Sequence, residues 1–130
     1  MMKEDIESPK DIELMVHSFY DQIKKDDLLG PIFNGIIQDR WPQHLEKMCR
    51  FWQTVLLGQH TYQGSPFRPH AQLPLKAFHF QRWVHLFNHS IDQLFCGQKT
   101  EEAKWRANKM AEMFLMKIEY FQSTKVKTII

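Results

Sequence analysis

Residues 59–74 read QHTYQGSPFRPHAQLP and hold three of the six prolines and one of the five glycines. Proline removes a backbone donor and clashes with the preceding turn, so no regular helix passes through this stretch. It nonetheless contains Tyr62, Phe67 and Leu73, and apolar side chains at that density argue against a solvated tail. A connection of about this length inside a compact domain is uncommon and tends to carry function. Everything on either side of it has helical period.

Upstream, Ser8-Pro9 reads as an N-cap with proline at the first helical position and Asp11 in the first turn. Ile12, Val16, Phe19 and Ile23 then recur at helical spacing, and Tyr20 lies at the edge of that stripe. Gly30-Pro31 breaks the chain. A second helix is expected from near Asp39, with Pro42 tolerated in its first turn, to a stop at Gly58. His44, Met48, Phe51 and Val55 share one face of it, widened by Leu45, Trp52 and Leu56. Downstream, a third helix runs from about Lys76 to Phe95, with Phe80, Trp83, Val84, Phe87, Ile91 and Leu94 inward and Gly97 ending it. Thr100 with Glu101 and Glu102 opens a fourth, whose inner face is Ala107, Met110, Phe114, Ile118 and Phe121. No strand-like alternation and no internal repeat is found. The expected class is all-α, with four long helices around an irregular middle.

Composition bounds the rest. A chain of 130 residues suits one domain, 1–130, and 43% hydrophobic with 13% aromatic residues supplies a sizeable core. The balance of 17 Lys+Arg against 15 Asp+Glu, net +2 without a basic run, gives no electrostatic footprint for nucleic acid. Cys49 and Cys96 form no CxxC pair, which fits a reducing compartment. The start, MMKEDIESPKD, is polar, and no apolar run approaches the ~20 residues needed to span a bilayer. The expectation is a cytoplasmic protein that neither crosses nor anchors in a membrane.

Seven histidines raise the question of a metal. His85 and His89 are spaced i, i+4, but they lie opposite the Phe80/Trp83/Phe87 stripe, so a solvated face is expected. His17, His60 and His79 have no distinguishing context and are expected at the surface. His44 shares the face of Met48, Phe51 and Val55, and reads either as a core-edge histidine with a local hydrogen bond or as a group aimed into a site. His70, between Pro69 and Ala71, is a loop histidine or a ligand held by stiff flanks. No histidine has Glu three residues before it, as a di-iron bundle requires. HExxH, CxxCH and a glycine-rich phosphate loop are also absent.

Four fragments in order, FYDQIKKDDLLGPIFN at 19–34, HLEKMCRFW at 44–52, LLGQHTYQGSPFRPH at 56–70 and QRWVHLF at 81–87, resemble the truncated haemoglobins, and within them group III. The resemblance spans about Ser8 to Phe121, and the absence of Gly-Gly motifs supports that group. It implies a globin-like two-over-two helical sandwich around haem b, with the irregular stretch as the proximal segment.

By this resemblance His70 is the proximal iron ligand and Tyr20 the distal helix-B tyrosine. Phe33 packs on the porphyrin, His44 is the distal helix-E histidine and Trp83 the helix-G tryptophan over the iron. Met48 stands where an aliphatic residue is usual and, with Phe51, joins the cofactor contacts. Lys47, Tyr62 and Arg68 have suitable chemistry for the propionates.

The function so implied is reversible, tight binding of O2, and of NO or CO, at a five-coordinate iron. Tyr20 O–H and Trp83 N–H serve as donors, and His44 as a gate, a third donor or a sixth ligand. An alternative is an O2-dependent nitric oxide dioxygenase or peroxidase-like enzyme, which needs a separate reductase. A third reading is a helical interaction module, with Trp105 and Met116 opposite the inner face of the last helix as its surface. The expected assembly is a monomer or weak dimer.

Overall fold

The computed structural model describes residues 3–62, 64 and 75–129, with side chains for all but 121 and 124–129. Five helices occur among them: α1 (Pro9–Lys25), α2 (Gly30–Ile37), α3 (Trp41–Leu57), α4 (Ala77–Leu94) and α5 (Gln98–Ile129). A 3-10 turn, Gln38–Arg40, joins α2 to α3. No strand is present among the described residues. The irregular stretch expected at 59–74 falls mostly outside them, and the part inside, 59–62, is not helical.

The long helices start and stop for the reasons their sequences give. Ser8 accepts from Asp11 N while the Asp11 carboxylate accepts from Ser8 N, a reciprocal box at the start of α1 with Pro9 just inside it. Gly58, at φ 68°, closes α3 in the left-handed region that glycine enters without strain. Three expectations need correction. Gly30-Pro31 does not merely interrupt the chain but begins α2, because proline in the first turn gives up only an N–H that has no helical partner there. The helix expected from Asp39 begins at Trp41, Asp39 lying in the 3-10 turn. The last helix begins at Gln98 rather than Thr100, because its cap comes from far away in sequence.

That cap is Asp5. Its carboxylate accepts from Lys99 N at 2.8 Å, from Thr100 N at 2.9 Å and from Thr100 Oγ1 at 2.8 Å, and from its own neighbour Ile6 N at 2.9 Å. Burial pushes the Asp5 carboxyl upward, but these four hydrogen bonds outweigh it and hold the group below the usual carboxylate range. Cys96 N donates to Glu4 O, and Lys3 Nζ reaches Asp92 O, so residues 3–6 strap the α4–α5 junction. Gly97, at φ 139°, makes the turn, and a Cβ there would sit 2.5 Å from Asp5 Cγ.

α1 packs on α3 and α4, and α4 on α5. The short connection at 95–97 sends α5 back along α4. The main core gathers Ile12, Met15, Val16, Phe19 and Ile23 from α1 with Phe51, Trp52 and Leu56 from α3. Phe87 and Ile91 of α4 meet Ala103 and Ala107 of α5, whose small side chains let the two helices approach closely. This is the four-long-helix sandwich expected from the sequence, with α2 added at one end. Asp26 fixes that addition: its carboxylate accepts from Leu28 N and Leu29 N and pairs with Arg82 of α4 at 3.1 Å.

Candidate functional site

Between the helix layers lies a narrow cleft of about 630 Å³, counting the part open to solvent. Each helix contributes to its wall. Tyr20 comes from α1 and Phe33 from α2, while Met48, Phe51 and Trp52 come from α3. His79, Phe80 and Trp83 descend from α4 with Leu75 just before it, and Met110, Ala111 and Phe114 face them from α5.

Aromatic packing fixes the wall. Trp83 stacks on Phe87 at 5.8 Å and 14°, and Phe87 stacks in turn on Trp52 at 5.2 Å and 22°. Phe19 meets Trp83 edge-on at 5.3 Å and Phe87 at 5.2 Å. Each such pair contributes about 0.5–1.5 kcal/mol beyond its buried area, so packing on Phe19 and Phe87 holds the Trp83 ring where it lines the cleft.

On the α1 side, Tyr20 is buried and touches four rings: Phe19 at 4.9 Å, His44 at 5.0 Å, Trp41 at 5.8 Å and Phe33 at 6.5 Å. Its hydroxyl finds no hydrogen-bond acceptor among the described residues, and neither does the indole N–H of Trp83. Burial, and secondarily Cys49, drives the Tyr20 phenol well above its usual pKa. It therefore stays a neutral O–H donor through the physiological range. The Cys49 thiol is itself pushed up to about 11, first by burial and then by Glu13 and Glu46, and stays protonated.

The sequence-predicted residues sort as follows. Tyr20, Phe33, Met48, Phe51 and Trp83 all line the cleft. His44 is half-buried and meets the cleft through Tyr20, ring edge to ring face at 87°. Tyr62 packs behind Phe51 at 5.4 Å, and burial raises its phenol pKa. Lys47 is on the exposed face of α3. Arg68 and His70 lie outside the described residues. His85 and His89 are both exposed, as their helical phase requires.

Two residues escaped the sequence reading. His79 is not on the surface: it is 9% exposed and lines the cleft. Its Nδ1 accepts from Lys76 N at 2.9 Å, capping α4, so the neutral ring carries its proton on Nε2. Burial, then Lys76, lowers its pKa. The signal was its place one turn before Trp83. Trp41 is the other; it lies one turn before His44 and touches both His44 and Tyr20.

The pocket is thus a mostly apolar slot with aromatic walls and two hydrogen-bond donors that find no acceptor among the described residues. Such a slot suits a flat apolar cofactor with a small polar ligand on one side of it.

The chain is similar to known proteins along most of its length. A family model described as bacterial-like globin matches residues 3–117. A group 3 truncated hemoglobin of Campylobacter jejuni is 32% identical over 117 residues, covering 87% of this chain and 92% of that protein. The crystal structure of group III truncated hemoglobin from Campylobacter jejuni superposes with a TM-score of 0.82 at 30% identity, over 90% of this chain and 95% of that one.

Proposed function

The chain belongs to the bacterial-like globin family, and from that premise we propose that it holds haem b in the cleft and binds a diatomic gas there, O2 in the first place. The supporting observation is a pair of donors, Tyr20 O–H and Trp83 N–H, on residues that line the apolar cleft and without an acceptor among the described residues. Both residues border the cleft, where a small polar ligand could accept from them.

Haem b supplies an iron with a coordination position open to a gas. The chain's own residues do the rest. Phe33, Phe51 and Phe80 give the flat cofactor apolar walls. His70 is the iron ligand, and Lys47, Tyr62 and Arg68 serve the acidic edge. Tyr20 and Trp83 donate to the gas ligand from positions fixed by packing, so no reorganisation opposes the hydrogen bonds. In a dry aromatic slot these bonds are stronger than in water, and the result is tight holding and slow release. His44, edge-on to Tyr20, stands at the solvent side as a gate.

Slow release suits sensing, scavenging or storage better than shuttling. The same donors also favour a second reading, O2-dependent oxidation of nitric oxide or a peroxidase-like reaction, supplied with electrons by a separate reductase. Haem titration of the purified chain tests the first reading: one equivalent should give a saturating Soret band, with an oxy spectrum on reduction and exposure to air. Lack of saturable uptake sinks it. Sustained nitric oxide consumption with a reductase present, and none without, would move the assignment to the second.

A further inference from the structure

Trp41 is the first residue of α3, and four contacts fix its indole. Nε1–H donates to Asn34 Oδ1 at 3.1 Å, and Lys24 Nζ stands 4.6 Å over the ring. Asn34 Nδ2 donates to Lys24 O at 3.3 Å, so the end of α1, the middle of α2 and the start of α3 meet around this one side chain. On its other side Trp41 lies 5.8 Å from Tyr20 at 61° and 5.7 Å from His44 at 85°, and those two rings are 5.0 Å apart. Three rings therefore close a triangle of edge contacts. Burial falls outward through it: Tyr20 is buried, His44 and Trp41 are half-buried, and Asn34 is exposed. Neither Trp41 nor His44 lines the cleft itself.

We propose that Trp41 is the positioning residue of the cleft's solvent side, holding His44 against Tyr20 and closing that side to incoming small ligands. A histidine ring leaving Tyr20 on this side must break its edge contact with a tryptophan that is itself tethered to two other helices. The indole N–H···Asn34 bond is the latch, because it is the only directional tether of that ring among the described residues. The part concerning ligand access rests on the haem reading above; the shielding of His44 does not.

The test uses two variants and two readouts. Trp41→Ala removes the ring. Asn34→Ala removes only the acceptor, at an exposed position, and leaves the triangle's rings in place. In the haem-free protein, carbethoxylation of His44 by diethyl pyrocarbonate is followed by peptide mass spectrometry, with exposed His17, His60 and His85 as internal rate references. Relative to these, His44 should react slowly in the parent, about tenfold faster in Trp41→Ala, and faster by a smaller factor in Asn34→Ala. In the haem-loaded protein, CO association after flash photolysis should accelerate in the same order.

A His44 that reacts as fast as His17 in the parent overturns the proposal, as does an unchanged His44 rate in both variants. Faster labelling with unchanged CO association overturns the claim about ligand access. A parent that takes up no haem refutes the gas-binding reading instead, while the labelling arm still decides the role of Trp41.

Discussion

Replacing Tyr20 with Phe should weaken ligand holding while leaving the stability of the haem-free fold nearly unchanged. The ring contacts of Tyr20, to Phe19, Phe33, Trp41 and His44, all survive, so only the hydroxyl is lost. That hydroxyl has no acceptor among the described residues. Because Tyr20 lines the cleft, losing the hydroxyl should leave the haem-free fold within about 0.5 kcal/mol of the parent, or about 2 °C in Tm for a chain of this size. With a gas ligand bound, the same hydroxyl makes a hydrogen bond to a charged acceptor, worth about 1.5–3 kcal/mol. At about 1.4 kcal/mol per decade, O2 release should quicken about ten- to a hundredfold. Trp83 also lines the cleft, so a Tyr20→Phe, Trp83→Phe double variant should fall short of the product of the single effects. Stopped-flow O2 release with CO as the trap, and thermal unfolding of the haem-free protein, read the two quantities. The phenol is held well above its usual pKa by burial and then by Cys49, so release from the parent should be flat between about pH 7 and 9. Release within twofold of the parent, or a change of more than about 1 kcal/mol in the variant's haem-free stability, would refute the reasoning.

Other expectations follow from the N-terminal strap and the α4 cap. Asp5→Ala leaves Lys99 N, Thr100 N and Thr100 Oγ1 without their acceptor and should cost about 2–4 kcal/mol in urea unfolding; a change under about 0.5 kcal/mol would contradict the capping role. Gly97→Ala combines backbone strain at φ 139° with a collision against the Asp5 carboxyl, for a loss of about 1–3 kcal/mol, and pairing it with Asp5→Ala should recover part of that. Folding holds the Asp5 carboxyl low, so its stabilisation is present above the usual pKa of about 3.9 and disappears as pH falls through the folded value. Burial, then Lys76, lowers the His79 pKa, so the unfolded chain takes up that proton first and stability declines as pH drops below about 6.5. His79→Gln keeps an acceptor at the capping position and should flatten that limb; an unchanged limb would assign it to another group.

The long helices were legible because their apolar periods extend over many turns and their ends carry local chemistry: Ser8-Pro9, Gly58 and Gly97 each act on adjacent backbone. α2 was not, since eight residues hold too few turns for a period and its Gly-Pro start reads equally as a break. The start of α5 was misplaced because its cap, Asp5, is 95 residues from Thr100, a contact that no local pattern encodes. Of the pocket, the helical period placed Met48, Phe51 and Trp83 inward and Tyr20 at the edge of its stripe, while the ordered motifs added Phe33 and the cofactor reading, because periodicity by itself cannot tell an aromatic core from a cofactor wall. His79 was missed because a histidine beside Phe80 can belong to either face, and only its turn-earlier relation to Trp83 places it inward. Trp41 was missed because it opens a helix where no stripe had yet begun.

The central claim, a haem held in this cleft with its iron on His70, is tested most directly by absorption spectra of reconstituted parent and His70→Ala proteins, reduced and then exposed to O2. The account predicts a strong Soret band and a stable oxy form in the parent, and loss of the oxy form in His70→Ala. A parent that takes up no haem, or a variant whose spectra match the parent's, would contradict it.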